Sequence, residues 1–357
     1  MADFVALTVT DVRRETPACV SIAFDVSAQP AFANFKAGQY LNLKLNIDGT
    51  EVRRSYSISS APRAGEVRVA VKSVEGGFAS VHLQSVKAGD VLEASAPEGN
   101  FLAAVDGTPK HHVFFGAGSG VTPLRSLVAD VLARDPQGKA TMFFGNTGAE
   151  HTIFKADLEA WASHEDRFHL QHVWTDGSLA PRYSGRIDFS KATELLSELP
   201  QDGLQREFYL CGPAGMIGAV KEALQDQGVS DANIHVEYFA APVEDQAEST
   251  SAPAAAPAAI PAGGAAKVTI VLDDEEVVLD LNPDGDVILD AALDAGMDAP
   301  FSCKGGVCTT CRAKVLEGET RMDNNYALTD GEVAEGYILT CQAHPTTASV
   351  KVSWDEP

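Results

Sequence analysis

Four of the six cysteines crowd into the final fifth of the chain, at a spacing that suits metal ligation. Cys303-Lys-Gly-Gly-Val-Cys308-Thr-Thr-Cys311 places three thiols on one short loop, and Cys341 follows thirty positions later. A C-x4-C-x2-C run with a distant fourth cysteine can bind two irons tetrahedrally, as in a plant-type [2Fe-2S] cluster. Gly305 and Gly306 would let the loop adopt positive φ, turning backbone amides inward toward the sulfurs. A four-cysteine zinc site competes with this reading. Zinc ribbons favour two C-x2-C knuckles, however, and only Cys308 and Cys311 stand at that spacing. Inert buried thiols are the other alternative. Cys19 and Cys211 stand alone.

Three further stretches suit phosphate or a planar ring. Gly116-Ala-Gly118-Ser-Gly120-Val-Thr122-Pro123 directly follows the apolar run Val113 to Phe115. It is not G-x-G-x-x-G, but it uses the same physics: close backbone approach, then a helix N-terminus facing phosphate. Thr122 reads as the N-cap and Pro123 as the first helical residue. Cys211-Gly212-Pro213 ends another apolar run, at the edge where ligands of a parallel sheet bind, although a lone cysteine is commonly a small buried hydrophobe. Arg54-Ser55-Tyr56-Ser57 gains weight from Val69-Ala-Val71-Lys72 and Gly76-Gly77-Phe78-Ala79-Ser80. There a glycine turn opens a short helix whose amides, with the Arg54 fork, could hold a pyrophosphate while Tyr56 lies flat on an isoalloxazine. The blander alternatives are a solvated charge, a half-buried ring and a capped surface helix.

The elements that must position these residues follow from periodicity. Up to about residue 106 apolar residues alternate with period two, as in Leu41, Leu43, Leu45 and Val67, Val69, Val71, with turns at Asp48-Gly49 and Gly76-Gly77. This predicts an antiparallel sheet or small barrel. From 107 to 240 apolar strands alternate with helices, the first helix carrying Leu124, Leu127, Val128, Val131 and Leu132 on one stripe, which predicts an α/β doubly wound parallel sheet. Residues 241–266 are dominated by Ala, Pro, Ser and acidic residues and read as a flexible linker. Residues 267–357 hold a hairpin, a short helix and the cysteine loop.

At 357 residues with 45% hydrophobic and 22% charged content, the chain is long enough for two or three cores. The formal net charge of -23 argues against nucleic acid and anionic membrane as partners and favours a basic docking patch on whatever the protein meets. About half of that excess lies beyond residue 265, where 18 Asp or Glu face 6 Lys or Arg. No apolar run could cross a bilayer, and Met1-Ala2-Asp3-Phe4 does not begin a signal peptide, so a cytoplasmic protein is expected.

Taken together, the motifs resemble the ferredoxin-NADP reductase superfamily with a C-terminal plant-type ferredoxin domain. Over essentially the whole chain the order of domains, the loop Cys303 to Cys311 and Tyr337-Ile-Leu-Thr-Cys341-Gln342 are similar to the reductase subunits of phenylacetyl-CoA epoxidases. The resemblance implies a β-barrel for FAD, an α/β domain for a nicotinamide nucleotide and an α+β β-grasp domain for the cluster. It places Arg54, Gly77 and Ser80 at the flavin pyrophosphate, with Val71 also at the flavin. Tyr56 would lie on the isoalloxazine and Ser57 near its reactive nitrogen. Gly118, Gly120 and Thr122 would hold the nucleotide pyrophosphate, Cys211, Gly212 and Pro213 would lie at the nicotinamide, and Phe239 close to the flavin. Relatives that choose NADPH place a basic residue after the second nucleotide strand, where this chain has Gly145-Asn146-Thr147. Arg182 or Arg186 could substitute, and no Asp or Glu stands directly at that strand end, so NADPH is expected, with NADH as the alternative.

A nicotinamide gives two electrons together and an iron-sulfur cluster takes one, so a flavin must stand between them. The acceptor implied by the resemblance is a multi-subunit di-iron oxygenase acting on phenylacetyl-CoA. A reductase for another aromatic-ring or steroid oxygenase is the first alternative, and a redox sensor the second. No acid-base dyad is required, and the histidines read as surface or packing residues.

Overall fold

The computed structural model describes residues 4–62, 65–240 and 264–356. They divide into two compact units, Phe4–Phe239 and one beginning at Ala240. The expected linker lies outside the described residues except at its C-terminal end. There Ala266 already belongs to a strand, paired with Leu281.

The first unit opens with six strands: β1 (Val5–Thr16), β2 (Cys19–Phe24), β3 (Tyr40–Ile47), β4 (Thr50–Ser57), β5 (Val67–Lys72) and β6 (Val91–Ala94). They pair antiparallel in the order β4-β3-β6-β1-β2-β5. Asp48 (φ 52°) and Gly49 (φ 82°) form the two-residue turn between β3 and β4, with both residues left-handed as such a hairpin requires. The sheet's two ends meet where Ile58 bridges Val69 and the Ser59 N–H donates to the Arg68 carbonyl at 2.7 Å, which makes the sheet a barrel. Leu41, Leu43, Leu45, Val67, Val69 and Val71 point inward, as the alternation predicts. Two short helices, α1 (Pro30–Ala33) and α2 (Phe78–His82), complete this part.

The α/β part runs β7 (Lys110–Ala117), α3 (Val121–Arg134), β8 (Lys139–Asn146), α4 (Lys155–His164), β9 (Phe168–Trp174), α5 (Phe189–Leu196), β10 (Gln205–Cys211), α6 (Ala214–Asp226) and β11 (Ile234–Glu237). All five strands are parallel, in the order β11-β10-β7-β8-β9. The chain leaves β7 in one direction for β8 and later returns to β7's other side as β10. The crevice outside the carboxyl ends of β7 and β10 is therefore the topological switch point where such sheets bind ligands. The stripe of α3 packs on one face of the sheet, and α5 and α6 cover the other.

Helix α3 also grips the barrel. Leu124, Leu127 and Val128 share a core with Ala37, Ala70 and Phe101. Arg125 donates to the Ser59 carbonyl at 2.6 Å and to Asp157 at 2.8 Å, between the rings of Phe154 and Trp161, and the Ser126 hydroxyl donates to the Ser60 carbonyl at 2.7 Å. Both carbonyls lie just beyond the Arg54-Ser57 motif, so one helix joins that motif to the glycine loop at its own N-terminus.

The second unit contains β12 (Ala266–Leu272), β13 (Glu275–Leu281), α7 (Ile288–Asp294), β14 (Arg312–Glu317), β15 (Thr320–Met322), α8 (Asp330–Ala334), β16 (Tyr337–Leu339), β17 (Ala343–Pro345) and β18 (Ser349–Ser353). Its main sheet runs β13-β12-β18-β14-β16, with β12 and β18 parallel at the centre, and α7 packs Ile288, Leu289 and Ala292 into the same core as the sheet. This is the expected β-grasp arrangement. No helix among the described residues is long and apolar enough to cross a membrane.

Candidate functional site

The cysteine loop ends where β14 begins, and Cys341 follows β16 by two residues. Because Arg312 pairs with Leu339, those two ends lie side by side, and Thr340 donates both its N–H (3.2 Å) and its hydroxyl (2.9 Å) to the Cys311 carbonyl. The distant fourth thiol is thereby delivered to the first three. Cys308 Sγ lies 3.1 Å from Cys303 Sγ, and Cys341 approaches both Cys303 and Cys311. All four thiols are free of disulfides. Hydrogen bonds from Cys308 and Cys341 and from the Gly305 and Val307 amides hold the Cys303 thiol down to about 2, while sharing the charge pushes Cys308 and Cys341 upward. Gly306 has φ 73°, and a Cβ there would stand 3.1 Å from the Asn324 carbonyl oxygen, so the loop needs glycine for conformation and for space. Four converging thiols with inward amides fit a [2Fe-2S] cluster, which when bound supplies one-electron transfer.

The switch-point crevice is lined by the two glycine motifs. A Cβ on Gly120 would overlap the Cys211 carbonyl, and one on Gly212 would stand 3.1 Å from Ala117 N, so both glycines permit close approach of backbone to backbone. Gly118 has φ 55° and faces Lys72, whose Nζ would lie 3.7 Å from a Cβ there. The expected cap is corrected here. Gly118–Gly120 form a tight 3-10 turn that runs into α3, so Gly120 caps the helix. Thr122 is buried inside the first turn with its hydroxyl donating to the Ser119 carbonyl at 3.0 Å, and Pro123 is the third helical residue rather than the first. Pro213 caps α6. Cys211 is fully buried, which pushes its thiol upward, and it pairs in register with Glu237 at the end of β11. Burial without a cation or hydrogen-bond donor among the described residues raises the Glu237 carboxyl to about 8. Phe239 is exposed, while Tyr238 packs against the sheet.

The Ile58–Val69 bridge sets the end of the Arg54-Ser57 motif against β5. Arg54 is exposed, and among the described residues its guanidinium reaches the Arg53 carbonyl at 2.7 Å and no other partner. Tyr56 is half-buried against the barrel core, which lifts its phenol to about 12, and Ser57 is buried. Gly77 must be small, because a Cβ there would stand 2.5 Å from Ser80 Oγ, which accepts from the Val74 N–H at 3.2 Å. Val71 differs from the other site candidates. Its side chain lies in the barrel core and its carbonyl accepts from Gln84.

No acid follows the second nucleotide strand directly, as expected, but the third strand brings one near it. Asp176, just beyond β9, packs against Gly148 so closely that a Cβ on the glycine would collide with its carboxylate. Asp176 Oδ1 accepts from the Ser178 N–H and hydroxyl, and these bonds hold its carboxyl below the usual range.

Three family models cover the chain in the same order as the structure: an oxidoreductase FAD-binding domain at residues 6–102, an oxidoreductase NAD-binding domain at 114–222 and a 2Fe-2S iron-sulfur cluster binding domain at 270–346. The chain is 36% identical over 363 residues to a 1,2-phenylacetyl-CoA epoxidase subunit of Escherichia coli (strain K12), covering 99% of each. The chain belongs to the ferredoxin-NADP reductase superfamily with a C-terminal [2Fe-2S] domain. The 3-ketosteroid-9-alpha-monooxygenase ferredoxin reductase component of Rhodococcus rhodochrous is 32% identical, covering 98% of this chain and 97% of its own. Phthalate dioxygenase reductase shares the fold, with a TM-score of 0.60, 20% identity and 98% of both chains covered.

This reductase therefore passes electrons from NAD(P)H through FAD to its [2Fe-2S] cluster, and the sensor reading falls away. The Rhodococcus relative is itself the ferredoxin reductase component of a monooxygenase. Sequence reasoning missed three of the reductase's candidate functional side chains. Lys72 ends a recognisable strand, but nothing local signals its reach to Gly118. Glu237 is brought beside Cys211 only by the β10–β11 pairing. Arg125 looks like a surface position of an amphipathic helix until the barrel covers it.

Proposed function

We propose that this reductase delivers electrons to a multi-subunit di-iron oxygenase that epoxidises phenylacetyl-CoA. The observation that carries this reading is the similarity to the E. coli epoxidase component, which extends over 99% of both chains and all three domains. In this reading the Arg54 guanidinium and the turn Gly77-Ser80 bind the flavin pyrophosphate, Tyr56 covers the isoalloxazine and Ser57 lies beside it. Gly118, Gly120 and the first turn of α3 receive the nucleotide pyrophosphate through backbone amides, with Lys72 adding charge. Cys211, neutral because it is buried, gives the nicotinamide a close, uncharged wall together with Gly212 and Pro213, and Phe239 is free to lie near the flavin.

For the nucleotide we take NADPH, with Arg186 meeting the 2′-phosphate. Arg186 is exposed and its side chain has no partner among the described residues, whereas Arg182 is engaged by Glu198. Its neighbours anchor it at the right edge: Gly185 N–H donates to the Trp174 carbonyl at 3.0 Å, and Ile187 reaches over Gly145. Asp176 opposes this choice, since a carboxylate near the ribose favours the free hydroxyl. Arg186→Ala should raise KM for NADPH roughly tenfold and leave NADH unchanged. A wild-type preference for NADH that Asp176→Ala abolishes would overturn the choice.

Reconstitution tests the whole reading. Holoprotein, NADPH and a purified phenylacetyl-CoA epoxidase should form epoxide, and a 3-ketosteroid 9-alpha-oxygenase should not turn over. The reverse pattern would assign the reductase to a steroid system, as its resemblance to the Rhodococcus component allows.

A further inference from the structure

We propose that Gln342 is a tuning residue for the iron-sulfur cluster: its side-chain amide donates a hydrogen bond to the sulfur of Cys341 and raises the potential at which the cluster accepts an electron.

Gln342 is 9% exposed, directly follows the fourth ligand, and has its whole amide engaged. Nε2 lies 3.7 Å from Cys341 Sγ, 2.7 Å from the Cys341 carbonyl oxygen and 3.3 Å from the Lys304 carbonyl oxygen. All three neighbours are acceptors, so the NH2 must face them, with one of its two protons shared between the Cys341 carbonyl and sulfur. Oε1 accepts from Asn324 Nδ2 at 3.1 Å on the other side, in keeping with that orientation. The network continues. Tyr326 donates its hydroxyl to Asn324 Oδ1 at 3.2 Å and its N–H to the Gly306 carbonyl at 3.0 Å, while Asp323 N–H donates to the Gln342 carbonyl at 2.9 Å. Gln342 and Asn324 also hem in Gly306, where a Cβ would stand 3.2 Å from Gln342 Cγ.

One amide therefore does two things. Through Lys304 it secures a non-glycine residue held at φ 52°, an uncommon conformation for a lysine that the surrounding structure must maintain. Through Cys341 it places a donor on a ligand sulfur. Reduction adds one negative charge to the cluster and its thiolates, and a donor on sulfur stabilises the more negative form more strongly. Partners outside the ligand set commonly tune metal sites in this way.

Gln342→Met keeps the length and removes the donor. In reconstituted holoprotein with full iron content, an EPR-monitored redox titration should show the equilibrium constant for cluster reduction falling about tenfold, which is about 59 mV for a one-electron couple. Asn324→Ala releases the amide without removing it and should shift the potential in the same direction by less. The wild-type protein supplies a test that needs no variant to fold. With 15N in the glutamine side-chain amides, the dithionite-reduced cluster should show a 15N coupling in pulsed EPR that is absent from Gln342→Met. An unchanged potential in a fully loaded Gln342→Met, or no 15N coupling in the wild type, would overturn the proposal.

Discussion

At the scale of single residues, the site is governed by what surrounds each titratable group. Glu237 is the clearest case. Its carboxyl, partly buried by surface, is held up to about 8 in the folded chain against an ordinary value of 4.5, because desolvation disfavours its charge. Between those two values the unfolded chain has lost the proton and the folded chain retains it, so stability falls as pH rises across the window and levels off above it. Glu237→Gln should therefore leave the thermal midpoint of the holoprotein nearly unchanged at pH 4 and raise it most at pH 9, as read by circular dichroism. The four cysteines behave differently. Their thiols converge on one another, and if they are the cluster's ligands, as proposed, Cys341→Ala should abolish the EPR signal of the reduced cluster while flavin content and NADPH-dependent flavin bleaching persist.

At the scale of elements, α3 is the part on which most depends. Its N-terminus faces the crevice, its apolar stripe builds the core, and Arg125 and Ser126 hold the barrel carbonyls that follow the flavin motif. Arg125→Ala removes a mostly buried cation from two rings, a carbonyl and Asp157. It should lower stability by about 2 kcal/mol in urea titrations, a figure reduced because Asp157 remains partly solvated. Gly120→Ala drives a methyl group into the Cys211 carbonyl. A loss of 3 kcal/mol or more, roughly the upper end for overpacking, is expected by the same measurement, together with loss of NAD(P)H-dependent flavin reduction.

At the scale of the whole molecule, the charge of -23 is the main quantity, and the residues beyond 265 carry about half of it. An acidic carrier meets an acceptor most readily through a basic patch, and salt weakens such steering. The kcat/KM for the oxygenase component should fall about tenfold between roughly 0.05 and 0.5 M salt, measured by coupled NADPH oxidation. Insensitivity to salt would mean that docking rests on apolar contact instead.

The iron-sulfur domain is legible in the amino-acid sequence alone because three of its four candidate ligands share one loop, where spacing in sequence is spacing in space. The barrel and the parallel sheet are legible for a related reason: periods of 2 and 3.6 are local consequences of backbone geometry. Resemblance adds the order of cofactors. Tertiary structure decided what depends on pairing between remote segments. It set Glu237 beside Cys211 through adjacent parallel strands and brought Asp176 against Gly148 across two loop ends. It moved the start of α3 from Thr122 to the glycine turn. It also wrapped Gln342 and Asn324 around the cluster loop. Local spacing carries no information about which strand will lie beside which, so residues whose role comes from a neighbour far along the chain become visible only once the sheets have closed.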